Sequence, residues 1–333
     1  MLKHMSRIVE WSVVRQIPLS DILCVTNYFT VDKKDGSLRL VVDGRKVNAI
    51  MRRPPKMPLP EIHTVVDYIM SHKLAMTVDG KSYFYQVPIS EEVGRMFCAN
   101  LADARGPFAT VAMQRLPMGW SYAPLIAQKI SNTLLTGKDG RRLGYAWIDN
   151  FIFAGDSEEE IQANFAEFLT RCREAHVLID NENPVASTSL VALGVKFDLA
   201  AGTYDLDPKW VEKRLVLRAA ASMSPRQLYT LTGSMIWHDY VKRIPLCHQE
   251  GPLEVIRRVA SAISKPSDWD TPQTFTDTEV RCINQWLDSL LSSGPKRWLP
   301  RTDRIDAKYY GLTVLFVRFS VFRIFYTSFL KPF

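Results

Sequence analysis

The sequence predicts an α+β fold, and three observations carry that prediction. An alternation of apolar and polar residues turns on Asp35-Gly36; strand-like and helix-like segments then alternate from residue 74 to residue 206; beyond Pro208 the pattern becomes helical. With 333 residues and 47% hydrophobic composition, the chain can bury a core large enough for about two domains.

Taken in order, residues 28–48 read as a β-hairpin closed by the tight Asp35-Gly36 turn. Pro54, Pro55, Pro58 and Pro60 form a connector, and Glu61–His72 reads as a short amphipathic helix. LAMTVD (74–79) is a strand ending in an aspartate, 107–117 is a second strand, and Tyr122–Leu135 is a helix. Leu143–Gly155 is apolar on both sides of one Asp-Asn pair, the pattern of a buried hairpin. Ser157 and Glu160 form a capping box that opens a helix to about Ala175. Segments 177–180 and 190–206 complete the strands. This order is that of a split βαβ, ferredoxin-like sheet with helices on one face. Ser224-Pro225 supplies an N-cap with proline at N1. Helices are expected over Arg226–Val241, Pro252–Ala262 and Asp277–Leu291, with a domain boundary near 205–210.

The charge balance, 42 Lys and Arg against 35 Asp and Glu, leaves +7. That surplus is compatible with a polyanionic partner, because phosphate binding releases counterions. Cys24, Cys98, Cys172, Cys247 and Cys282 are scattered, with no CxxC spacing, and read as buried small hydrophobes in a reducing compartment. The opening MLKHMSRIVEWSVVRQ lacks the apolar run of a signal peptide, and Glu10 argues against a mitochondrial presequence. An intracellular location, cytoplasm or nucleus, is expected. Arg318 and Arg323 interrupt the aromatic-rich run 309–333. Each arginine at a bilayer centre costs about 2.5–3.5 kcal/mol, so no membrane span or membrane partner is expected.

Asp79 and Asp149 are the chemistry-bearing residues. Each is an acid set in an apolar strand or hairpin, 70 positions apart (149 − 79), and a ferredoxin-like sheet can make their strands neighbours. Buried carboxylates are costly unless paired or metal-bound, and two side by side repel until divalent cations resolve the repulsion. A lone strand-end aspartate more often caps a turn or pairs with a lysine such as Lys81. The surrounding sequence decides between the two.

That sequence resembles the reverse transcriptases of retroelements over roughly residues 28–245. Lys33–Arg39 with Val42-Asp43-Gly44-Arg45 is similar to the family's fingers hairpin, and Met57–Pro60 to the segment leading into its palm. Asp79–Gln86 resembles motif A, Leu116–Pro124 with Gln128 motif B, Trp147-Ile148-Asp149-Asn150 motif C, and Leu193–Phe197 the primer-grip hairpin. The resemblance implies a right-hand polymerase with fingers (28–73), a palm (74–206, with a fingers insertion at about 90–115) and a mainly helical thumb leading into a connection (207–300). These are flanked by an N-terminal extension (1–27) and a divergent tail (301–333).

The resemblance also implies roles. Asp79 and Asp149 would hold Mg²⁺, with Mn²⁺ as its substitute, and Asn150 completes the catalytic set. Lys33, Arg39, Ser82, Tyr83, Phe84, Met118 and Gly119 would bind the incoming nucleotide, with Phe84 excluding a ribose 2′-hydroxyl, and Gly119 would let the backbone approach the base pair closely. Leu193, Gly194 and Val195 would grip the primer. The partners implied are an RNA template, a DNA primer and deoxynucleoside triphosphates.

Two positions depart from the family. Asn150 replaces the second aspartate of motif C, and Asn183 stands where a lysine would protonate pyrophosphate, a role worth about 10²–10⁴-fold. LTGSMIW (231–237) and IPL (244–246) are most similar to the thumbs of DIRS-like and Ngaro-like elements, which integrate by a tyrosine recombinase; an RNase H part is not expected. Two readings follow: an RNA-directed DNA polymerase, or a decayed or repurposed core that binds nucleic acid without turnover. Phe84 and the fingers sequence disfavour an RNA-directed RNA polymerase.

Overall fold

The computed structural model describes residues 12–32, 38–100 and 110–300. Contacts divide the chain into two compact units, one formed by residues up to 61 with 75–186, the other by 62–74 with 187 onward. Mixed helix and sheet content makes the fold α+β, as expected.

In the first unit the strands are β1 (Val14–Gln16), β2 (Tyr28–Asp32), β3 (Leu38–Val42), β4 (Leu74–Asp79, whose first residue falls to the other unit), β5 (Cys98–Asn100), β6 (Thr110–Met113), β7 (Tyr145–Trp147) and β8 (Asn150–Gly155). Its helices are α1 (Arg45–Ile50), α3 (Glu91–Arg95), α4 (Ala123–Leu134) and α5 (Glu158–Glu174), while α2 (Ile62–Met70) belongs to the second unit. The predicted hairpin is present as β2 and β3, paired from Tyr28↔Val42 to Asp32↔Leu38. It ends earlier than the alternation suggested. The Gly44 carbonyl accepts from the Asn48 N–H at 2.8 Å, which starts α1 and buries Val47 completely.

The three-stranded sheet β4-β8-β7 carries the two aspartates. Ala75, Met76 and Val78 are buried along β4, and Asp79 emerges exposed at its end. The helix α5 covers β8: Phe165 and Phe168 stack against Phe151 and Phe153, with Phe151 and Phe168 centroids 4.7 Å apart. Its capping box is half realised. Ser157 Oγ accepts from the Glu160 N–H, but the Glu160 carboxylate accepts from Asp156 N–H instead of Ser157.

The expected strand at 177–180 is a single antiparallel bridge, Gly80↔Ile179. Asp180 N–H donates to the Asp79 carbonyl at 2.8 Å and Lys81 N–H to Leu178 at 3.0 Å, so the segment lines the side of β4 away from β8. A turn at once ends the pairing, with Asn183 N–H donating to Asn181 Oδ1. The sheet therefore keeps the ferredoxin-like order with its fourth strand cut to one pair.

The second unit contains β9 (Ser189–Ala192), β10 (Val195–Asp198), β11 (Thr203–Leu206), β12 (Ser222–Met223), β13 (Gln273–Thr274) and β14 (Lys296–Arg297). With α2 come α6 (Pro208–Arg214), α7 (Pro225–Val241), α8 (Glu250–Ser261) and α9 (Asp277–Leu291). One sheet runs β14-β11-β10-β9, and β12 pairs with β13. The cap of α7 is the predicted Ser224, in a full capping box with Gln227. The helix α8 starts two residues before its predicted Pro252, because the first helical turn has no need of the N–H that proline lacks. Leu228, Leu231, Met235, Val259, Ile283, Trp286 and Leu287 form the helical core.

The helix α7 also buries polar groups, which find partners. Asp239, fully buried, accepts from Trp286 Nε1 at 2.9 Å. Lys242 Nζ donates to Asp205 Oδ1 at 2.7 Å, Ser293 Oγ at 2.9 Å and the Gly294 carbonyl at 3.0 Å.

The cysteine expectation holds for two of the five. Cys98 and Cys172 are buried, and burial pushes their thiols up to about 11 and about 12, which leaves them unreactive at neutral pH. Cys247 is exposed, and Cys24 and Cys282 are half-buried, Cys282 packing against the edge of the helical core. Among the described residues no helix is long and apolar enough to cross a membrane; the run 309–333 lies outside them.

Candidate active site

Adjacent strands bring Asp79 and Asp149 to one end of the sheet. Asp79 closes β4, and Asp149 sits in the two-residue turn between β7 and β8, where Trp147 pairs with Asn150. Gly80 N–H donates to the Asp149 carbonyl at 2.7 Å, which stitches the two acid-bearing backbones together. Asn150 Nδ2 donates to Asp79 Oδ1 at 2.6 Å. The amide thus acts on the partner acid itself, a bond that an ionised aspartate at position 150 could not make. Asn150 Oδ1 is buried and has no donor among the described residues.

The turn carrying Asp149 is strained. Ile148 has φ +59°, the left-handed region that a β-branched side chain rarely adopts, at a cost of about 1–3 kcal/mol. Side chains of α4 hold it there. Gln128, fully buried, accepts from Ile148 N–H at 2.6 Å and donates to the Ala146 carbonyl at 3.0 Å; Ser131 Oγ donates to the Ile148 carbonyl. The Tyr83 hydroxyl meets Ser131 Oγ at 2.7 Å, and burial raises its pKa well above the ordinary tyrosine value. In the sequence Gln128 entered only with the motif B resemblance, without a partner, and Ser131 carried no signal.

After β4 the chain turns sharply. Ser82 takes a left-handed conformation (φ +48°, ψ +41°), and residues 83–86 form one turn of 3-10 helix that leaves Phe84 half-buried. A Cβ on Gly80 would lie 2.6 Å from the Tyr83 ring, so glycine is what lets that ring fold back. The Tyr85 hydroxyl donates to the Leu40 carbonyl at 2.6 Å, tying this turn to β3.

Gly119, expected to admit a base pair, packs its backbone on the β3–α1 connection. A Cβ there would lie 1.9 Å from the Val42 carbonyl oxygen, one on Gly44 would lie 2.2 Å from the Gly119 oxygen, and Gly119 has φ +125°. Asn48 seals the contact, its Nδ2 donating to Gly119 O at 2.9 Å and its Oδ1 accepting from Ser121 N–H at 2.9 Å. Met118 is half-buried, and its carbonyl accepts from Val42 N–H at 3.0 Å. Substituting Gly119→Ala should destabilise the chain by about 2 kcal/mol or more. A denaturant midpoint that does not move would show that the connection can slide away at little cost.

Arg39 lies on β3 opposite Val31, with its side chain outside the described set, and Lys33 lies outside the described residues. Leu193 and Gly194 form the β9–β10 turn with φ +53° and +75°, the primed geometry suited to two-residue hairpins, and Ala192 pairs with Val195. This hairpin belongs to the second unit.

Among the described residues no group of three or more His, Cys, Asp or Glu side chains gathers to hold a metal. Two carboxylates suffice for magnesium, which keeps waters and takes substrate phosphates to fill its octahedron. Asp79 and Asp149 are hard oxygen donors, and the orphaned Asn150 oxygen adds an acceptor beside them. The donor set fits a hard divalent cation.

The same architecture occurs in solved polymerases. The foamy viral protease-reverse transcriptase solved with double-stranded DNA aligns with a TM-score of 0.65 at 15% identity, over 86% of this chain and 46% of that one. The same enzyme with an RNA/DNA hybrid aligns at 0.65 and 14% identity, over 87% and 36%. The fold is therefore that of an α+β polymerase of the reverse-transcriptase type. Residues 31–197, half of the chain, match the family described as "Reverse transcriptase (RNA-dependent DNA polymerase)", and the chain belongs to that family. Curated relatives include the retrovirus-related Pol polyprotein from transposon 412 of Drosophila melanogaster, 27% identical over 176 residues, and the transposon Tf2-7 polyprotein of Schizosaccharomyces pombe, 28% identical over 150. These alignments cover 53% and 45% of this chain but only 14% and 11% of the relatives.

Proposed function

We propose that this chain is the polymerase part of a retrotransposon reverse transcriptase, an RNA-directed DNA polymerase that joins a deoxynucleotide to a primer 3′-hydroxyl. The observation that carries the reading is the pairing of Asp79 and Asp149 on adjacent strand ends, joined through the Gly80–Asp149 backbone bond.

Asp79 and Asp149 are the residues that would hold Mg²⁺, or Mn²⁺ in its place, and the ions when bound activate the 3′-hydroxyl and neutralise charge on the transferring phosphoryl group. The protein's own part is positioning and charge. The turn at Ser82–Tyr83 presents backbone N–H groups to the triphosphate, Lys33 and Arg39 supply cationic contacts, and Met118 and Gly119 shape the floor beside the base. The hairpin Leu193-Gly194-Val195 grips the primer. On this reading the first unit contributes fingers and most of a palm, and the second a thumb. RNA template, DNA primer and deoxynucleoside triphosphates are the partners. LTGSMIW and IPL on and after α7 favour an element of the DIRS-like or Ngaro-like kind.

Primer extension on an RNA template with Mg²⁺, then Mn²⁺, tests the activity. Phe84→Ala should raise ribonucleotide incorporation relative to deoxynucleotide by at least about tenfold; an unchanged ratio removes Phe84 from the gate. A second reading, a repurposed core that binds nucleic acid without turnover, is favoured by the Asn150 amide engaging Asp79 Oδ1. Template binding with no extension under either metal would select it.

A further inference from the structure

We propose that Gln128 and Ser131 are positioning residues that hold Asp149 in place through the strained Ile148 peptide, with the Tyr83 hydroxyl as the third member of the clamp. The inference rests on the reading of Asp149 as a metal-binding acid.

Both peptide groups of Ile148 are pinned from one helix. Gln128 Oε1 accepts from its N–H at 2.6 Å, and Ser131 Oγ donates to its carbonyl. That carbonyl belongs to the peptide plane that leads into Asp149. The next plane is fixed from the other side by Gly80 N–H at 2.7 Å. Asp149 is therefore flanked by two immobilised peptides, one tied to α4 and one to β4.

The clamp is built for the task. Gln128 is fully buried and uses both ends of its amide: Nε2 also donates to Asn132 Oδ1 and to the Ala146 carbonyl, each at 3.0 Å. It thereby bridges Ala146 and Ile148 on either side of Trp147. Ser131 is fully buried as well and has a single hydrogen to give. With Tyr83 donating to its oxygen, that hydrogen lies within reach of two carbonyls, Ile148 and, at 3.0 Å, Ala127, and the shorter contact favours Ile148. Tyr83 lies four residues after Asp79, so the clamp couples the turn beyond one acid to the turn that carries the other. A left-handed isoleucine persists only where its surroundings over-determine it, and these bonds supply that determination.

The test uses Gln128→Met, which keeps the volume but accepts no amide hydrogen, and Gln128→Glu, which keeps an acceptor for it. In Gln128→Met the Ile148 amide should exchange with deuterium at least about tenfold faster, while the amides within β8 keep their protection. Primer extension should lose about 10²-fold in kcat with KM for the nucleotide little changed, the signature of a misplaced group and not of lost binding. Gln128→Glu, held neutral by burial so that its carboxyl O–H replaces one of the two Nε2 donations, should recover part of both. Glycine adopts φ +59° freely, so in an Ile148→Gly background Gln128→Met should cost less than about threefold. The proposal is overturned by unchanged exchange at Ile148, by equal loss of protection along all of β8, or by the same kcat loss in both backgrounds. If the unaltered chain shows no turnover, the polymerase reading fails, and the exchange of Ile148 in Gln128→Met still decides the clamp.

Discussion

Replacing Asp79 with asparagine should reduce primer extension by at least about 10³-fold while leaving the fold intact. The substitution preserves shape, and an asparagine oxygen at position 79 can still accept the Asn150 amide that now bonds Oδ1 at 2.6 Å. What it removes is one of two negative charges available to divalent cations. Electrostatic stabilisation of a transferring phosphoryl group is where such sites obtain most of their rate, and single charged groups are worth about 10³–10⁵. Because Asp79 is exposed at the strand end, thermal stability should change by less than about 1 kcal/mol. Extension assays on the purified variant and its parent, with matched melting curves, check both halves. Equal extension by the two proteins would end the enzymatic reading, whatever the comparisons with relatives suggest.

Replacing Lys242 with methionine should destabilise the second unit by about 3–5 kcal/mol. The methionine fills the space of the lysine stem, so the change isolates the ammonium. That group is 3% exposed and donates to Asp205, Ser293 and Gly294, which come from β11 and from the segment after α9. Without it, Asp205 (28% exposed) loses its ion pair and two further acceptors lose their donor. Urea unfolding followed by tryptophan fluorescence reads this directly, since Trp286 lies in the same helical core and donates to Asp239 one turn earlier on α7. A loss under about 1 kcal/mol would mean that desolvating the ammonium already cancels most of what its partners return.

Much of the fold was legible because local signals agreed with tertiary burial. The strand 74–79 and the helix 277–291 have their predicted bounds: one is a short apolar run ended by an acid, the other opens on Thr276 with Glu279 closing a capping box. Disagreements arose where a single long-range contact overruled a local pattern. The apparent strand at 177–180 has apolar residues but only Ile179 in register with Gly80 before the chain turns at Asn181. The alternation through residue 48 gave way to α1 once Gly44 met Gly119 back to back, a contact between residues 75 positions apart (119 − 44) that periodicity does not carry.

That the two acid-bearing strands are neighbours was legible, but not on the ground of buried charge. An acid in an apolar run is costly only if it is buried, and Asp79 comes out exposed at the end of its strand. The clamp on Ile148 was not, because buried glutamine and serine on a helix look like any satisfied core amide and hydroxyl until their partners are known. The close approach of Gly119 to the Val42 carbonyl was likewise not legible, because it joins segments far apart in the chain.

The bond from Asn150 to Asp79 separates two events that many metal sites combine. Where facing carboxylates are left bare, a chain must either capture an ion as it folds or take up a proton in its stead. Here a neutral hydrogen donor is already built into the neighbouring strand, so the paired strand ends can assemble in ion-free water. If Asp79 holds a cation as proposed, its uptake would be an exchange, in which an arriving cation competes with an amide for an oxygen already in use, and the sequence would set the terms of that competition through one atom at position 150.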